Sequence, residues 1–213
     1  MKTEAVASAS ADYPTDRAAS DLPEEELFRA RLYSLLSRLL AAAPDAAVLA
    51  ALRSIAGDAS ELGQGFAALA RASAATTPAG AAAEYHDLFI GLGRGELVPY
   101  GSYYLTGFLH EKPLAELRRD LARLGLERAA EVKEPEDHVA ALCEVMAGLI
   151  DGSFGDPAPL PVQRELFERH IAPWAGRFFA DLEAAATANF YREVARIGRL
   201  FLGIETTAFA MVT

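Results

Sequence analysis

The fold is decided by the stretch Glu134-Pro135-Glu136-Asp137-His138-Val139-Ala140-Ala141-Leu142-Cys143-Glu144-Val145-Met146-Ala147-Gly148-Leu149-Ile150-Asp151. Val139, Leu142, Val145, Met146, Leu149 and Ile150 recur at steps of one, three and four, the spacing that gathers apolar side chains on one face of a helix. Asp137, Glu144 and Asp151, spaced by seven, fall on another face of the same helix. Proline is tolerated in a first helical turn, so the spacing predicts a helix that opens at Glu134-Pro135. Its first turn gathers the carboxylates of Glu134, Glu136 and Asp137 with the imidazole of His138, where the helix dipole favours ionised acids.

The same period extends outward in both directions. Upstream, Asp21, Pro23 and the acids Glu24, Glu25 and Glu26 read as a helix start, followed by Leu27, Phe28, Leu32, Leu35, Leu36 and Leu39 and stopped by Pro44. Further helices are expected over residues 45–56 and 60–72, each closed by a turn. Tyr85, Leu88, Phe89 and Leu92 form an i, i+3, i+4, i+7 stripe on a helix over 79–90 that Gly91 ends. Between 91 and 107 the period is lost, and Val98-Pro99-Tyr100-Gly101-Ser102-Tyr103-Tyr104 reads as an extended aromatic linker. A helix over 113–124 is closed by Gly125. After the loop from Gly152 to Pro161, one helix carries Phe167, Ile171, Trp174, Phe178 and Leu182, and a last one carries Phe190, Val194, Ile197, Phe201 and Leu202. The expectation is an all-α chain of about eight to ten helices, a single compact domain over 22–213 with room for two lobes. Residues 1–21, rich in Ala, Ser and Asp, read as a disordered tail. No internal repeat occurs.

Composition removes several classes of function. The chain has 213 residues, with 20 Lys plus Arg against 30 Asp plus Glu, a formal net charge of −10. That balance gives no broad phosphate-binding surface for nucleic acid and suits a cationic partner better. The single cysteine, Cys143, excludes an internal disulfide and a thiolate-rich metal site, and fits a reducing cytoplasm. No apolar run reaches the roughly 20 residues of a membrane span, and the N-terminus lacks the apolar core of a secretory signal. A soluble, unexported chain without stable membrane insertion is expected.

Catalytic and cofactor signatures are equally sparse. Gly91, Gly93 and Gly95 follow a helix rather than a strand, and no Lys-Ser or Lys-Thr pair follows them, so a nucleotide loop competes poorly with a helix stop and turn. His86, His110, His138 and His170 stand apart, without the pairing that binds metal on a helix. Ser102, between Gly101 and Tyr103, is no nucleophile elbow. The expectation is no catalytic residue, no metal and no cofactor. Two binding features remain, each with two readings. Glu134 to His138 is either a well-capped helix start with solvated acids or a grip for a cation. The aromatic linker is either core filler or the rim of a peptide groove, where tyrosine is enriched.

With these residues in view the sequence resembles the TorD/DmsD/NarJ group of redox-enzyme maturation chaperones, nearest the DmsD/TorD branch. The likeness covers most of the chain in three ordered blocks. The first is Glu84-Tyr85-His86-Asp87-Leu88-Phe89-Ile90-Gly91 with Val98-Pro99-Tyr100-Gly101-Ser102-Tyr103-Tyr104-Leu105. The second is Glu134-Pro135-Glu136-Asp137-His138. The third is His170-Ile171-Ala172-Pro173-Trp174 continuing to Phe178 and Phe190-Tyr191. The resemblance implies a cytoplasmic chaperone, not an enzyme, that binds the twin-arginine leader of a molybdopterin-dependent oxidoreductase, delays its export and assists cofactor loading. An assembly chaperone of the NarJ type, serving an enzyme retained in the cytoplasm, is the alternative. The resemblance also implies that Asp137 and His138 take part in leader binding, that Glu134 and Pro135 shape the same turn, and that Pro99, Tyr100, Gly101, Ser102 and Tyr104 line the neighbouring groove. Tyr100 stands where the nearest branch carries tryptophan, which implies a different groove shape. A linker of this length permits either a monomer or a domain-swapped dimer.

Overall fold

The computed structural model describes residues 6–8 (backbone only), 22–91 and 95–211. The expectation of a disordered tail falls mainly on residues 1–5 and 9–21, outside the described ones. Ten α-helices are described: α1 (Glu24–Ala41), α2 (Ala46–Arg53), α3 (Glu61–Ala75), α4 (Pro78–Tyr85), α5 (Gly101–Thr106), α6 (Lys112–Arg123), α7 (Val139–Asp151), α8 (Leu160–Leu166), α9 (Ala175–Ala184) and α10 (Phe190–Met211). Two five-residue π-type turns, His86–Ile90 and Phe167–Ile171, continue α4 and α8. Beyond the helices there is one short ribbon, β1 (Val6–Ser8) antiparallel to β2 (Leu126–Arg128), with Ala7 opposite Glu127. The all-helical expectation holds. None of the described helices is long and apolar enough to cross a membrane.

Local chemistry sets many of the boundaries. Asp45, Ser60 and Thr77 each sit in extended backbone and accept the N–H of the residue three along, Val48, Gly63 and Gly80, so α2, α3 and α4 begin with a satisfied orphan donor. Pro78 then occupies a first-turn position, where its missing N–H costs nothing. The acids Glu24, Glu25 and Glu26 fall in the first turn of α1, as the dipole favours.

The chain divides into two compact units, Met1–Ala41 with Tyr100–Pro173, and Ala42–Pro99 with Trp174–Thr213. In the first, α7 packs along α1 and is also met by α8 and the turn that follows it. Burial on several sides leaves α7 without the polar face expected of it: all of Val139–Cys143 and Val145–Ile150 are buried, and only Glu144 and Asp151 are partly open. Cys143 is part of this core, and burial pushes its thiol up to about 12, which makes it a small hydrophobe.

In the second unit, α10 packs against α9, α3 and α4. Phe178, Phe179 and Leu182 of α9 meet Val194, Ile197 and Phe201 of α10 in one apolar layer, all nearly inaccessible. The start of α10 is held from α4: the Glu84 carboxylate accepts the backbone N–H groups of Asn189 at 2.7 Å, Phe190 at 3.1 Å and Tyr191 at 2.8 Å. Three orphan donors thus share one acid, which also suits the positive end of a long helix. Glu84→Ala is expected to lower stability by about 2 kcal/mol, and Glu84→Gln, which keeps an acceptor oxygen, by about half of that. Urea unfolding of both variants measures the difference, and equal effects would remove the capping role.

Three expectations from the sequence need correction. The helix predicted to open at Glu134-Pro135 starts instead at Val139. His138 is extended, with φ −63° and ψ 137°, its N–H donates to Pro135 O at 3.1 Å, and its ring caps the helix. The acids before it therefore stand in a turn, outside the helix and its dipole. The linker expected to be extended over 91–107 contains α5, which is only six residues long and gives too short a period to see in the sequence. The helix expected to run from Phe167 to Leu182 is broken between Ile171 and Ala175, because Pro173 lacks an N–H to continue the ladder and Trp174 leaves helical geometry at φ −144°. On the predicted Tyr85 stripe, Leu88 is fully buried and Tyr85 and Phe89 are half-buried with their rings against Tyr191, while Leu92 lies outside the described residues.

Candidate functional site

The two segments singled out in the sequence meet in space within the first unit. Tyr100 and His138 form an isolated antiparallel bridge, and the Gly101 N–H donates to Asp137 O at 2.9 Å. This backbone pairing brings residues 34 to 38 positions apart into register. Pro99 is buried and ends the stretch that belongs to the other unit. From Gly101 the chain turns into α5, so Ser102 lies at the bottom of the turn and Tyr103 and Tyr104 are half-buried above it.

Asp137 is the pin of the arrangement. It is only 3% exposed, and its Oδ2 accepts the Ser102 N–H at 2.7 Å. Its Oδ1 and the Ser102 hydroxyl are both buried without a hydrogen-bond partner. Glu136 is committed elsewhere, to Arg118 at 2.8 Å and to Arg128 at 3.3 Å. Burial alone would raise its carboxyl, but the Arg118 hydrogen bond and the two guanidinium charges outweigh that and hold it below the usual carboxylate range. Glu134 is exposed and accepts the Tyr100 hydroxyl. Pro135 is half-buried and supplies the carbonyl that closes the turn.

His138 is the N-cap of α7. Its Nδ1 accepts the Ala140 N–H at 3.1 Å, which places the ring proton on Nε2, and its ring stands edge-on to Tyr100 with centroids 5.0 Å apart. Burial pushes its pKa down to about 4, against the opposing pull of Glu134 and Asp137. The ring is therefore neutral at physiological pH. The electrostatic result follows by subtraction. Glu136 is neutralised by two arginines and His138 carries no charge, so Glu134 and Asp137 are left as acids that no cation among the described residues pairs with. The Tyr100 ring stands beside Glu134 and His138. Asp137 is buried, so the exposed Glu134 carboxylate is the group that can receive a guanidinium by charge-assisted hydrogen bonds, with the Tyr100 ring beside it.

Residues that the sequence did not disclose complete the turn. Arg118 and Arg128 set the charge on Glu136 from α6 and β2, and no spacing rule connects them to it. A concavity of the same unit, about 170 Å³, lies between α6 and α8. There His170 Nε2 meets Asp120 Oδ2 at 2.7 Å, and Arg169 reaches the same oxygen at 2.6 Å while Arg123 bonds the other. Burial would raise Asp120, but His170, Arg123 and Arg169 together hold it low, and with Glu165 3.8 Å from Arg123 and 3.1 Å from Arg169 two carboxylates balance the two guanidiniums. The glycine-rich turn after α4 has an architectural account where it is described: a Cβ on Gly95 would lie 2.5 Å from the Phe89 carbonyl carbon, so only glycine lets the returning strand bond Leu97 N–H to Leu88 O. Leu92, Gly93 and Arg94 lie outside the described residues. No group of three or more His, Cys, Asp or Glu among the described residues could hold a metal ion.

The fold is helical, and the two segments form one acidic turn that Tyr100 adjoins. The chain belongs to the nitrate reductase delta subunit family, whose model matches residues 55–180, more than half of its length. Chaperone protein TorD of Vibrio atlanticus is 26% identical over 136 residues, 60% of this chain and 63% of that one. Chaperone protein YcdY of Escherichia coli is 32% identical over 117 residues, 55% of this chain and 58% of that one. The chain thus aligns with about three fifths of the length of these relatives, which are named as chaperones rather than as enzymes. A crystal structure of a proposed redox enzyme maturation protein from Archaeoglobus fulgidus superposes with a TM-score of 0.54 at 19% identity, covering 92% of this chain and 99% of that one. That likeness is one of fold.

Proposed function

We propose that this chain is a cytoplasmic chaperone that binds the twin-arginine leader of a molybdopterin-dependent oxidoreductase and accompanies its apoprotein through cofactor loading before export. The observation that carries the reading is the exposed Glu134 carboxylate, which no cation among the described residues pairs with, set beside Tyr100 on a turn whose sequence resembles that of the chaperone family. Two consecutive guanidinium groups supply what this turn lacks. Planar guanidinium forks donate bidentately to carboxylates and lie flat on tyrosine rings, and an ammonium does neither as well. A neutral His138 adds no repulsion.

Calorimetric titration with a leader peptide carrying two consecutive arginines tests the reading. Binding is expected, weakened about tenfold when both arginines become lysine and by a similar factor in Glu134→Gln, whose exposed position leaves the fold intact. Equal affinity for the arginine and lysine peptides would overturn it. A second reading, an assembly chaperone for an enzyme retained in the cytoplasm, draws support from the description of the matching family, nitrate reductase delta subunit. Mass spectrometry of the client captured from the native cell separates the two by whether its N-terminus carries paired arginines.

A further inference from the structure

The second unit carries an open groove of about 520 Å³ between the first turn of α3 and the second half of α10. Glu61, Leu200, Gly203, Ile204, Thr207 and Met211 line it, and Ile204 and Met211 are 51% and 75% exposed. The Thr207 hydroxyl donates to Gly203 O at 2.9 Å, which spends its polar group within its own helix. Gly203 is the odd residue of this face. A glycine in mid-helix costs stability relative to alanine, yet its φ is not positive and a Cβ on it would meet nothing within 4 Å. Nothing within the chain calls for glycine there. The position is an open notch on the outer face of α10, next to a large apolar knob, Ile204.

We infer that this face of α10 is the contact surface for a second copy of the chain, the two α10 helices packing antiparallel about a two-fold axis at Gly203–Ile204. A knob beside a notch is self-complementary under such an axis: each Ile204 enters the space over the other copy's Gly203, and the missing side chain lets the two backbones approach. Charge selects the antiparallel sense. Arg192, Arg196 and Arg199 lie within about 60° of one another around α10. Arg199 is paired with Glu183 at 2.7 Å, whereas no carboxylate among the described residues pairs with Arg192 or Arg196. The two-fold sets Arg196 against the last turn of the other α10, around Met211, which is the negative end of a helix dipole. A parallel pair would lay arginine on arginine. The same arginines make this face cationic on a chain of net charge −10, so two copies repel one another less here than across acidic surface. About ten side chains from each copy meet, fewer than the roughly 20 to 30 of a standard interface, which sets a weak dimer with a dissociation constant of about 10 μM.

Sedimentation velocity of the full chain over a concentration series tests this. Wild type is expected to dimerise with concentration, and Ile204→Lys to raise the dissociation constant about tenfold or more. Gly203→Leu is expected to weaken the dimer by a similar factor while raising the thermal midpoint measured where the chain is monomeric, because it fills the notch but removes a mid-helix glycine. A merely structural glycine would move the midpoint down. Disulfide formation then reads the register, since the native Cys143 is buried and does not compete. Gly203→Cys, next to the axis, is expected to oxidise to a covalent dimer, and Arg192→Cys, far from it, to stay monomeric. Cross-linking at Arg192→Cys as fast as at Gly203→Cys overturns the antiparallel pairing. A chain that remains monomeric at every concentration overturns the inference. So does a dimer that Ile204→Lys and Gly203→Leu leave unchanged, which would belong to another face or to exchanged segments. Flotation of a monomer with phosphatidylglycerol vesicles that Ile204→Lys abolishes would overturn it in favour of a lipid surface.

Discussion

Between pH 6.5 and about 4 the wild-type chain is expected to lose about 3 kcal/mol of folding stability that a His138→Asn variant keeps. The unfolded chain takes up a proton at His138 near its ordinary 6.5, whereas the buried ring in the folded chain does not until about 4. Throughout that window the unfolded state binds more protons, so acid favours unfolding. Above pH 6.5 the contribution is fully present, and it is gone once the pH has fallen through the folded value. Burial is the first cause of the depression, and Glu134 and Asp137 only soften it. Asparagine is an effective N-cap, so its side-chain oxygen can take over the Ala140 N–H without adding a titrating group. Asp120 and Glu136, whose carboxyls are held low, add acid losses of their own at lower pH, but these are common to both proteins. Urea unfolding at intervals across the window isolates His138 as the difference between the two curves. Parallel curves would show that the ring is not held neutral by burial.

Asp137→Ala is expected to cost about 3 kcal/mol and to abolish high-affinity binding of a twin-arginine peptide, while Asp137→Asn costs less than about 1 kcal/mol. The alanine variant leaves the buried Ser102 N–H without an acceptor and frees the start of α5 from the turn before α7. Asparagine keeps an oxygen for that N–H and removes only the charge. The pair of substitutions therefore separates two roles that one would confound. If Asn preserves stability yet loses affinity, the charge serves the ligand; if both variants keep wild-type stability, Asp137 is not the pin. Stability is read from urea unfolding and affinity from titration calorimetry on the same samples. Losses of this size are a large share of the 5–15 kcal/mol that holds a typical domain together.

The helices were legible because their signals are local. The spacing in α1, α7 and α10 shows which residues turn inward, and the starts expected at Asp45 and Ser60 are held by a bond to the third residue along, whereas Thr77, expected in a flexible stretch, proves to cap α4. The errors have the same origin. In α7 the period showed one buried face, but packing by α1 and α8 covers nearly the whole helix, and a pattern of apolar and polar residues cannot tell how many neighbours arrive. At Glu134-Pro135 the acids and the proline read as a first helical turn, but the helix starts only after His138, because Pro135 O, Arg118, Arg128 and Ser102 draw the preceding groups away from a helical path.

For the site, the sequence by itself identified both segments, Pro99 to Tyr104 and Glu134 to His138, as unusual in chemistry, and its net charge of −10 suited a cationic partner better than nucleic acid. It could not say which acids were available. Only the tertiary structure decided that Glu136 is spent on Arg118 and Arg128, that Asp137 pins Ser102, that His138 is a neutral cap, and that Ile204 and Met211 face water. Charge availability and exposure depend on groups distant in sequence, brought together by packing. Helical period and capping depend on neighbours within four positions, and a sequence displays those directly.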